Sequence, residues 1–71
     1  MGRLRRLSGA EVCAILSRHG FVEKRRKGSH IVMQLRGERT TRTIPVPDHK
    51  ELKPGTLSAI IRQAGVPRGE F

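Results

Sequence analysis

Apolar residues recur at helical spacing near the start of the chain. The apolar face of this segment consists of Val12, Ile15 and Leu16. Their i, i+3 and i+4 spacing predicts an amphipathic helix. Ser8 followed by Glu11 is the sequence of a capping box, and Gly20 is the typical residue just beyond a helix end. We therefore predict a first helix over about residues 9–18.

A second segment with the same periodicity lies near the end of the chain. Its apolar positions are Leu57, Ile60, Ile61 and Ala64. Gly65 follows them and is suited to end a helix, so the pattern predicts a second helix over about residues 55–64. Residues 47–54 then form a loop, and residues 67–71 form a short tail that the pattern does not classify.

The segment between the two helices alternates between apolar and polar residues. This period of two predicts strands over residues 21–26, 30–36 and 41–46, with a tight turn at Lys27-Gly28 and a loop over residues 37–40. The element order is therefore α-β-β-β-α. It predicts an α+β fold in which two helices cover one face of a three-stranded antiparallel sheet.

In the second hairpin, pairing the apolar residues of the two strands directly turns both apolar sets inward. The pairs are Ile31 with Val46 and Met33 with Ile44. A shift by one residue would turn one set toward water. In this register His30 lies opposite Pro47, with Asp48 and His49 just beyond. Pro45 requires an edge strand because proline cannot donate to a ladder.

For the first hairpin, a two-residue turn at Lys27-Gly28 predicts a matching register. Its pairs are Arg26 with Ser29, Arg25 with His30, and Val22 with Met33. His30 then points to the face of the sheet that the helices leave open, and Arg25 lies beside it. Val32 and Gln34 continue that face.

The composition indicates which class of partner the protein binds. Among 71 residues, fifteen are Lys or Arg and six are Asp or Glu, which gives a net charge of +9. This length predicts one domain over residues 1–71, in which residues 1–6 form a basic N-terminal arm and residues 67–71 the tail. The only aromatic residues are two Phe, which excludes a base-stacking platform. The charge favours a nucleic acid over a membrane surface as the partner.

Several other classes are excluded or disfavoured. There is no apolar run long enough to span a bilayer and no signal-peptide pattern at the N-terminus. Cys13 is the only cysteine, so the chain can form no internal disulfide. We interpret Cys13 as a small helix residue and not as a nucleophile. The scattered histidines lack ligand spacing, so we expect no metal and no cofactor. His19 lies near the predicted C-terminal end of the first helix, where a histidine interacts favourably with the helix dipole. A cytoplasmic location fits these features.

His30 is the candidate catalytic residue. Histidine has an unperturbed pKa of ~6.5 and exchanges protons near neutral pH. Metal-independent RNA cleavage needs a base for the ribose 2′-hydroxyl, an acid for the leaving 5′-oxygen, and positive charge for the transition state. His30 can act as the base, nearby cations can hold the phosphate, and the glycine backbone can approach a strand closely. The candidate RNA-binding residues are Lys24, Arg25, Arg26, Lys27, Gly28, Ser29 and His49.

Each of these features also has a plainer interpretation. An exposed histidine on a sheet is more often inert than catalytic. The basic run over residues 24–27 can be a solvated hairpin tip, and His49 can simply brace its loop. The residues alone therefore predict a basic α+β nucleic-acid binder with a candidate histidine site.

The order and spacing of several short motifs over residues 7–66 resemble the HicA toxins. These motifs are Leu7-Ser8-Gly9, Gly20-Phe21-Val22, Lys27-Gly28-Ser29-His30, Ile44-Pro45-Val46-Pro47-Asp48-His49, Lys53-Pro54-Gly55-Thr56-Leu57 and Ile60-Ile61-Arg62-Gln63-Ala64-Gly65. The resemblance implies an α-β-β-β-α fold like that of double-stranded-RNA-binding domains. It also implies a ribosome-independent mRNA interferase of a type II toxin–antitoxin system, neutralised by a HicB antitoxin.

The resemblance also implies roles for particular residues. The family's catalytic histidine falls on His30 and its glycine on Gly28, while the second histidine motif falls on His49 in a supporting role. The Arg-rich start of the chain and the charged hairpin over residues 37–42 depart from the family pattern. They leave the substrate groove, the antitoxin contact and the oligomeric state open.

Two other function classes remain as alternatives to a metal-independent ribonuclease toxin. One is a non-catalytic RNA-binding module of the same fold, and the other is a basic interaction protein with no nucleic-acid role. If the chain is a toxin, we expect a HicB-like antitoxin to present an acidic surface and to cover His30, because the chain is strongly cationic.

Overall fold

The computed structural model describes residues 6–71, so the basic arm proposed for residues 1–6 lies outside it except for Arg6. The described elements are α1 (Gly9–Arg18), β1 (Val22–Lys27), β2 (His30–Arg36), β3 (Thr41–Pro47), α2 (Pro54–Ala64) and a short 3-10 turn (Arg68–Glu70). The predicted α-β-β-β-α order and the α+β class are confirmed. Across the described part of the chain, no helix has the length and apolar character needed to cross a membrane.

Local signals set both ends of the helices. The Ser8 side chain accepts a hydrogen bond from the Glu11 N–H at 3.0 Å, and Glu11 Oε1 accepts one from the Ser8 N–H at 2.8 Å. This is the predicted capping box, and it begins α1 at the expected residue. Gly20 and Gly65 follow the two helices with positive φ values, which glycine adopts without a steric cost. Helix α2 begins one residue before its predicted start, because Pro54 suits the first turn of a helix.

The sheet order is β1-β2-β3, so β2 is central. The register predicted for the second hairpin is confirmed: Ile31 lies opposite Val46, and His30 lies opposite Pro47. Strand β3 is an edge strand, which is where Pro45 was predicted to lie. This hairpin places His30 at the start of the central strand.

The register of the first hairpin differs from the predicted one. The turn residues are Gly28 and Ser29, and Lys27 lies opposite His30. Gly28 has a φ of +60°, as the first central residue of a type II′ turn requires. A turn at Lys27-Gly28 would instead put a lysine at that strained position. The predicted pairs Arg25 with His30 and Arg26 with Ser29 are therefore wrong.

A β-bulge at Lys24 then changes the outer half of β1. Lys24 has no partner on β2, and beyond it the register shifts by one residue. The extra residue reverses which face the next side chains occupy. Val22 consequently lies opposite Gln34 and is 58% exposed, so its predicted inward pairing with Met33 is wrong.

One apolar core lies between the helices and one face of the sheet. Buried residues of both helices and the inward side chains of β2 and β3 belong to a single cluster. Helix α1 contacts all three strands, and α2 contacts β3. The C-terminal tail also joins this core, since Phe71 is only 4% exposed. The opposite face of the sheet is not covered by either helix.

Candidate nucleic-acid interface and histidine site

Strand register decides which side chains share the uncovered face of the sheet, here called the open face. Residues directly opposite each other in an antiparallel ladder point to the same side. On this basis the open face carries, from the three strands, Val22, Arg25, Lys27, His30, Val32, Gln34, Arg36, Thr41, Thr43, Pro45 and Pro47. No acidic residue occupies a strand position on this face. Its charge is therefore entirely positive apart from the titratable histidine.

The acidic residues are placed elsewhere, and most of them are engaged. Their positions are Glu11 in the capping box, Glu23 on the helix side of β1, Glu38 in the β2–β3 loop, Asp48 beside Arg26, Glu51 beside Arg6, and Glu70 beside His19. A phosphate on the open face would therefore meet cations without competition from a carboxylate at a strand position of that face.

His30 occupies the end of the open face that adjoins the tight turn. It is exposed, with Lys27 opposite it on one side and Pro47 opposite it on the other. The predicted position of His30 on the face away from the helices is therefore confirmed. An exposed imidazole beside a cation is free to contact a phosphodiester directly.

The basic residues of the first hairpin do not form one cluster. Arg25 and Lys27 lie on the open face with His30, and both are exposed. Arg26 lies opposite Ile31 and therefore on the helix side, where its Nη1 donates to Asp48 Oδ2 at 2.6 Å. Lys24 is the unpaired residue of the bulge. Side chains alternate between the two faces of β1, so the basic run over residues 24–27 does not lie on one surface.

The turn between β1 and β2 leaves its backbone accessible. Gly28 and Ser29 are exposed, and a Cβ built on Gly28 would meet no atom within 4 Å. Within residues 6–71, a nucleic-acid strand could therefore approach the backbone of this turn, which directly precedes His30.

The loop that carries His49 is attached to the same end of the molecule. The Asp48 N–H donates to the Ser29 carbonyl at 2.7 Å, and the Gly9 N–H donates to the His49 carbonyl at 2.9 Å. His49 itself is exposed. The structure thus brings His30, the turn before it and the His49 loop together, as the register of the second hairpin predicted.

Cys13 lies near this loop but is not activated. Burial, followed by the nearby carboxylates of Glu23 and Asp48, raises the pKa of the Cys13 thiol, and Arg26 opposes that effect. A raised pKa keeps the sulfur protonated at neutral pH, whereas the thiolate is the reactive form.

Among residues 6–71, no group of three or more His, Cys, Asp or Glu side chains comes together in a way that could hold a metal ion. A shallow groove of about 220 Å³ lies along α1, lined by Leu7, Glu11, Ala14, Ile15 and Arg18. It contains none of the predicted site residues.

Sequence reasoning missed the ion pair between Arg26 and Asp48. The strand registers contained a signal for it. Asp48 follows Pro47, which lies opposite His30, and alternation along β1 turns Arg26 to the opposite face from Arg25 and Lys27. Treating residues 24–27 as one basic patch ignored that alternation. Sequence reasoning also missed the close contact between Gly9 and the loop, which no local pattern indicates.

The fold and the site define a small basic α+β protein whose uncovered sheet face carries cations and an exposed histidine. Residues 9–66 match the family described as HicA toxin of bacterial toxin-antitoxin. The chain therefore belongs to the HicA toxin family, and this membership implies a cognate antitoxin. No match was found among curated proteins or among solved structures.

Proposed function

We propose that this HicA-family toxin is a metal-independent endoribonuclease that cleaves mRNA in the cytoplasm with His30 as its general base. The observation that supports this most strongly is the position of His30. It lies exposed at the start of the central strand, on a face whose strand positions hold cations and no carboxylates. Such a surface attracts an RNA backbone and places a proton acceptor beside it.

The reaction needs no group beyond the RNA, the protein and water. His30 accepts the proton of a ribose 2′-hydroxyl, whose oxygen then forms a bond to the adjacent phosphorus. The bond from phosphorus to the 5′-oxygen breaks, and the leaving oxygen takes a proton from water or from a protonated side chain. The products are a 2′,3′-cyclic phosphate and a free 5′-hydroxyl. The extra negative charge in the transition state is stabilised by nearby cations.

The other residues would bind and orient the RNA. Arg25 and Lys27 share the open face with His30 and would hold phosphates, while the Gly28-Ser29 turn lets the backbone approach. His49 would contact the strand from the neighbouring loop. Lys24, at the bulge, would add charge at the edge of the sheet. RNA bound in this way is recognised through its backbone and 2′-hydroxyl, which agrees with the shortage of aromatic residues.

We further propose that a HicB-like antitoxin inhibits the toxin by covering His30 with an acidic surface. The net charge of +9 and the absence of acidic strand residues on the open face favour such a partner. A structure of the complex in which His30 stays open to solvent would contradict simple occlusion.

The first prediction concerns His30. The purified protein should cleave single-stranded RNA in the presence of EDTA, and His30→Ala should lower the rate by at least about 100-fold, the usual contribution of a general base. RNA affinity, measured by fluorescence anisotropy, should change little. His19→Gln is the matched control, since His19 lies at the far end of α1 and contacts Glu70. It should cleave like the wild type.

Two outcomes would favour the other function classes. If the wild type binds RNA but does not cleave it, the chain is an RNA-binding module. If it does not bind RNA even at low salt, where phosphate contacts are strongest, it has no nucleic-acid role. Expression in growing cells gives an independent result, because growth should arrest with His30 and continue with His30→Ala.

A further inference from the structure

We propose that the ion pair between Arg26 and Asp48 is a positioning device that holds the His49 loop against the turn that precedes His30. Arg26 then acts on the reaction through this loop and does not bind phosphate. The inference rests on the proposed ribonuclease function. It separates the roles of two adjacent arginines that the sequence alone treats as equivalent.

The first supporting observation is the direction of the Arg26 side chain. Arg26 lies opposite Ile31, on the helix side of the sheet, while Arg25 and Lys27 lie on the open face. An RNA strand on the open face would therefore meet Arg25 and Lys27 from the same side as His30. It would meet Arg26 only across the edge of the sheet.

The second observation is that the guanidinium already has an anionic partner. Arg26 Nη1 lies 2.6 Å from Asp48 Oδ2, the distance of a strong charge-assisted hydrogen bond. A phosphate would have to displace this carboxylate. Both side chains are about half-exposed, so solvent screens the pair and its effect on global stability is small. We therefore infer that the main effect of the ion pair is on the position of the His49 loop and not on the global stability of the protein.

The third observation is that Asp48 is held at its backbone as well as at its side chain. Its N–H donates to the Ser29 carbonyl at 2.7 Å, and the next carbonyl, that of His49, accepts from the Gly9 N–H at 2.9 Å. Among the side-chain hydrogen bonds and ion pairs of residues 6–71, the Arg26 contact is the one that links this loop to β1. Losing it would leave Asp48 attached to the turn by one backbone hydrogen bond.

These contacts connect the ion pair to the candidate reaction centre. Ser29 immediately precedes His30, and Asp48 immediately precedes His49. A small displacement of the loop would move His49 relative to the RNA bound beside His30. A misplacement of reacting groups by about 1 Å can lower a rate by as much as about 100-fold. The ion pair should therefore influence kcat more than KM.

The experiment compares four variants with the wild type: Arg26→Gln, Asp48→Asn, the double variant that combines them, and Arg25→Gln. Arg25→Gln is the matched control because it removes the same charge at the adjacent position on the open face. Arg26→Gln and Asp48→Asn should each lower kcat about tenfold while KM and Tm stay close to wild type. The double variant should be no slower than either single variant, because both remove one interaction. Arg25→Gln should show the opposite split, with a larger effect on KM than on kcat, because Arg25 would contact a phosphate of the bound RNA directly.

Amide hydrogen exchange gives a readout that does not depend on activity. Arg26→Gln should speed exchange of the Asp48 amide about tenfold. It should not affect the Gly37 amide, which is bonded to Thr40 in the distant hairpin loop. The charge-exchanged variant, Arg26→Asp with Asp48→Arg, should recover most of the lost kcat and slow the exchange again.

Several results would overturn the proposal. If Arg26→Gln raises KM as Arg25→Gln does while kcat is retained, Arg26 is a phosphate contact. If Asp48→Asn leaves both kcat and exchange unchanged, the carboxylate positions nothing. If the wild type does not cleave RNA, the ribonuclease function fails, and exchange at the Asp48 amide still decides whether the ion pair holds the loop.

Discussion

At the residue scale, Gly9 packs closely against the backbone that enters the His49 loop. Its N–H donates to the His49 carbonyl, and a Cβ built on Gly9 would lie 2.0 Å from the Pro47 carbonyl oxygen. The obstructing atoms belong to the backbone, which cannot rotate away as a flexible side chain can. The start of α1 therefore lies directly against the chain that enters the His49 loop, and only glycine leaves room for it there.

We predict that Gly9→Ala destabilises the protein by about 2 kcal/mol or more, because overpacking against backbone forces a shift. Gly55→Ala is the control. Gly55 lies in α2, has no positive φ, and has no atom within 4 Å of a built Cβ. Since alanine is the better helix residue, it should stabilise by roughly 0.4–1 kcal/mol. Urea unfolding monitored by circular dichroism measures both. Equal effects at the two glycines would contradict the close contact at Gly9.

At the element scale, the C-terminal tail is part of the folded structure. The short 3-10 turn returns Phe71 to the core, where it is 4% exposed. His19 Nε2 lies 3.1 Å from Glu70 Oε1, which joins the end of α1 to this turn. The tail thus covers apolar surface near α1 that a chain ending after α2 would expose to water.

We predict that Phe71→Ala destabilises by about 3 kcal/mol, the usual cost of truncating a buried phenylalanine. Val22→Ala is the control, since Val22 is 58% exposed on the open face and its truncation should change stability by no more than about 0.5 kcal/mol. Thermal unfolding of the two variants makes the comparison. A Tm for Phe71→Ala equal to that of the wild type would mean that the tail does not pack in solution.

At the scale of the whole molecule, the fold keeps carboxylates away from the strand positions of one face. The helices and one side of the sheet enclose the core, while the open face carries cations along its length, from Lys27 beside His30 to Arg36 at the far end of β2. Part of the net charge of +9 is therefore presented on one face with no carboxylate at its strand positions, where it can attract a polyanion.

We predict that Lys27→Gln combined with Arg36→Gln weakens RNA binding and reduces its salt dependence. Each lost phosphate contact should lower the slope of log K against log salt concentration by roughly 0.7 for a single strand. Arg62→Gln, an exposed change on α2, is the control and should leave that slope unchanged. Anisotropy titrations at several salt concentrations test this. Equal slope changes for the two proteins would place the RNA elsewhere on the surface.

The helices, the element order and the second hairpin could be predicted from the sequence because their signals are local or periodic. A capping box, a glycine with positive φ and an alternating strand each act within a few residues. Pairing Ile31 and Met33 directly with the apolar residues of β3 predicts the observed register of β2 on β3. That register alone was enough to place His30 on the open face, beside the loop that carries His49.

Only the tertiary structure decided how the first hairpin divides its charges. The bulge at Lys24 and the turn at Gly28 changed the register that the pattern predicted, and alternation along β1 sent Arg26 to Asp48. The fit of Gly9 against Pro47 has no local signal either. These features depend on contacts between segments far apart in sequence, whereas periodicity reports only what neighbouring residues prefer. The sequence by itself therefore determined the fold and the exposed histidine, and packing determined what surrounds it.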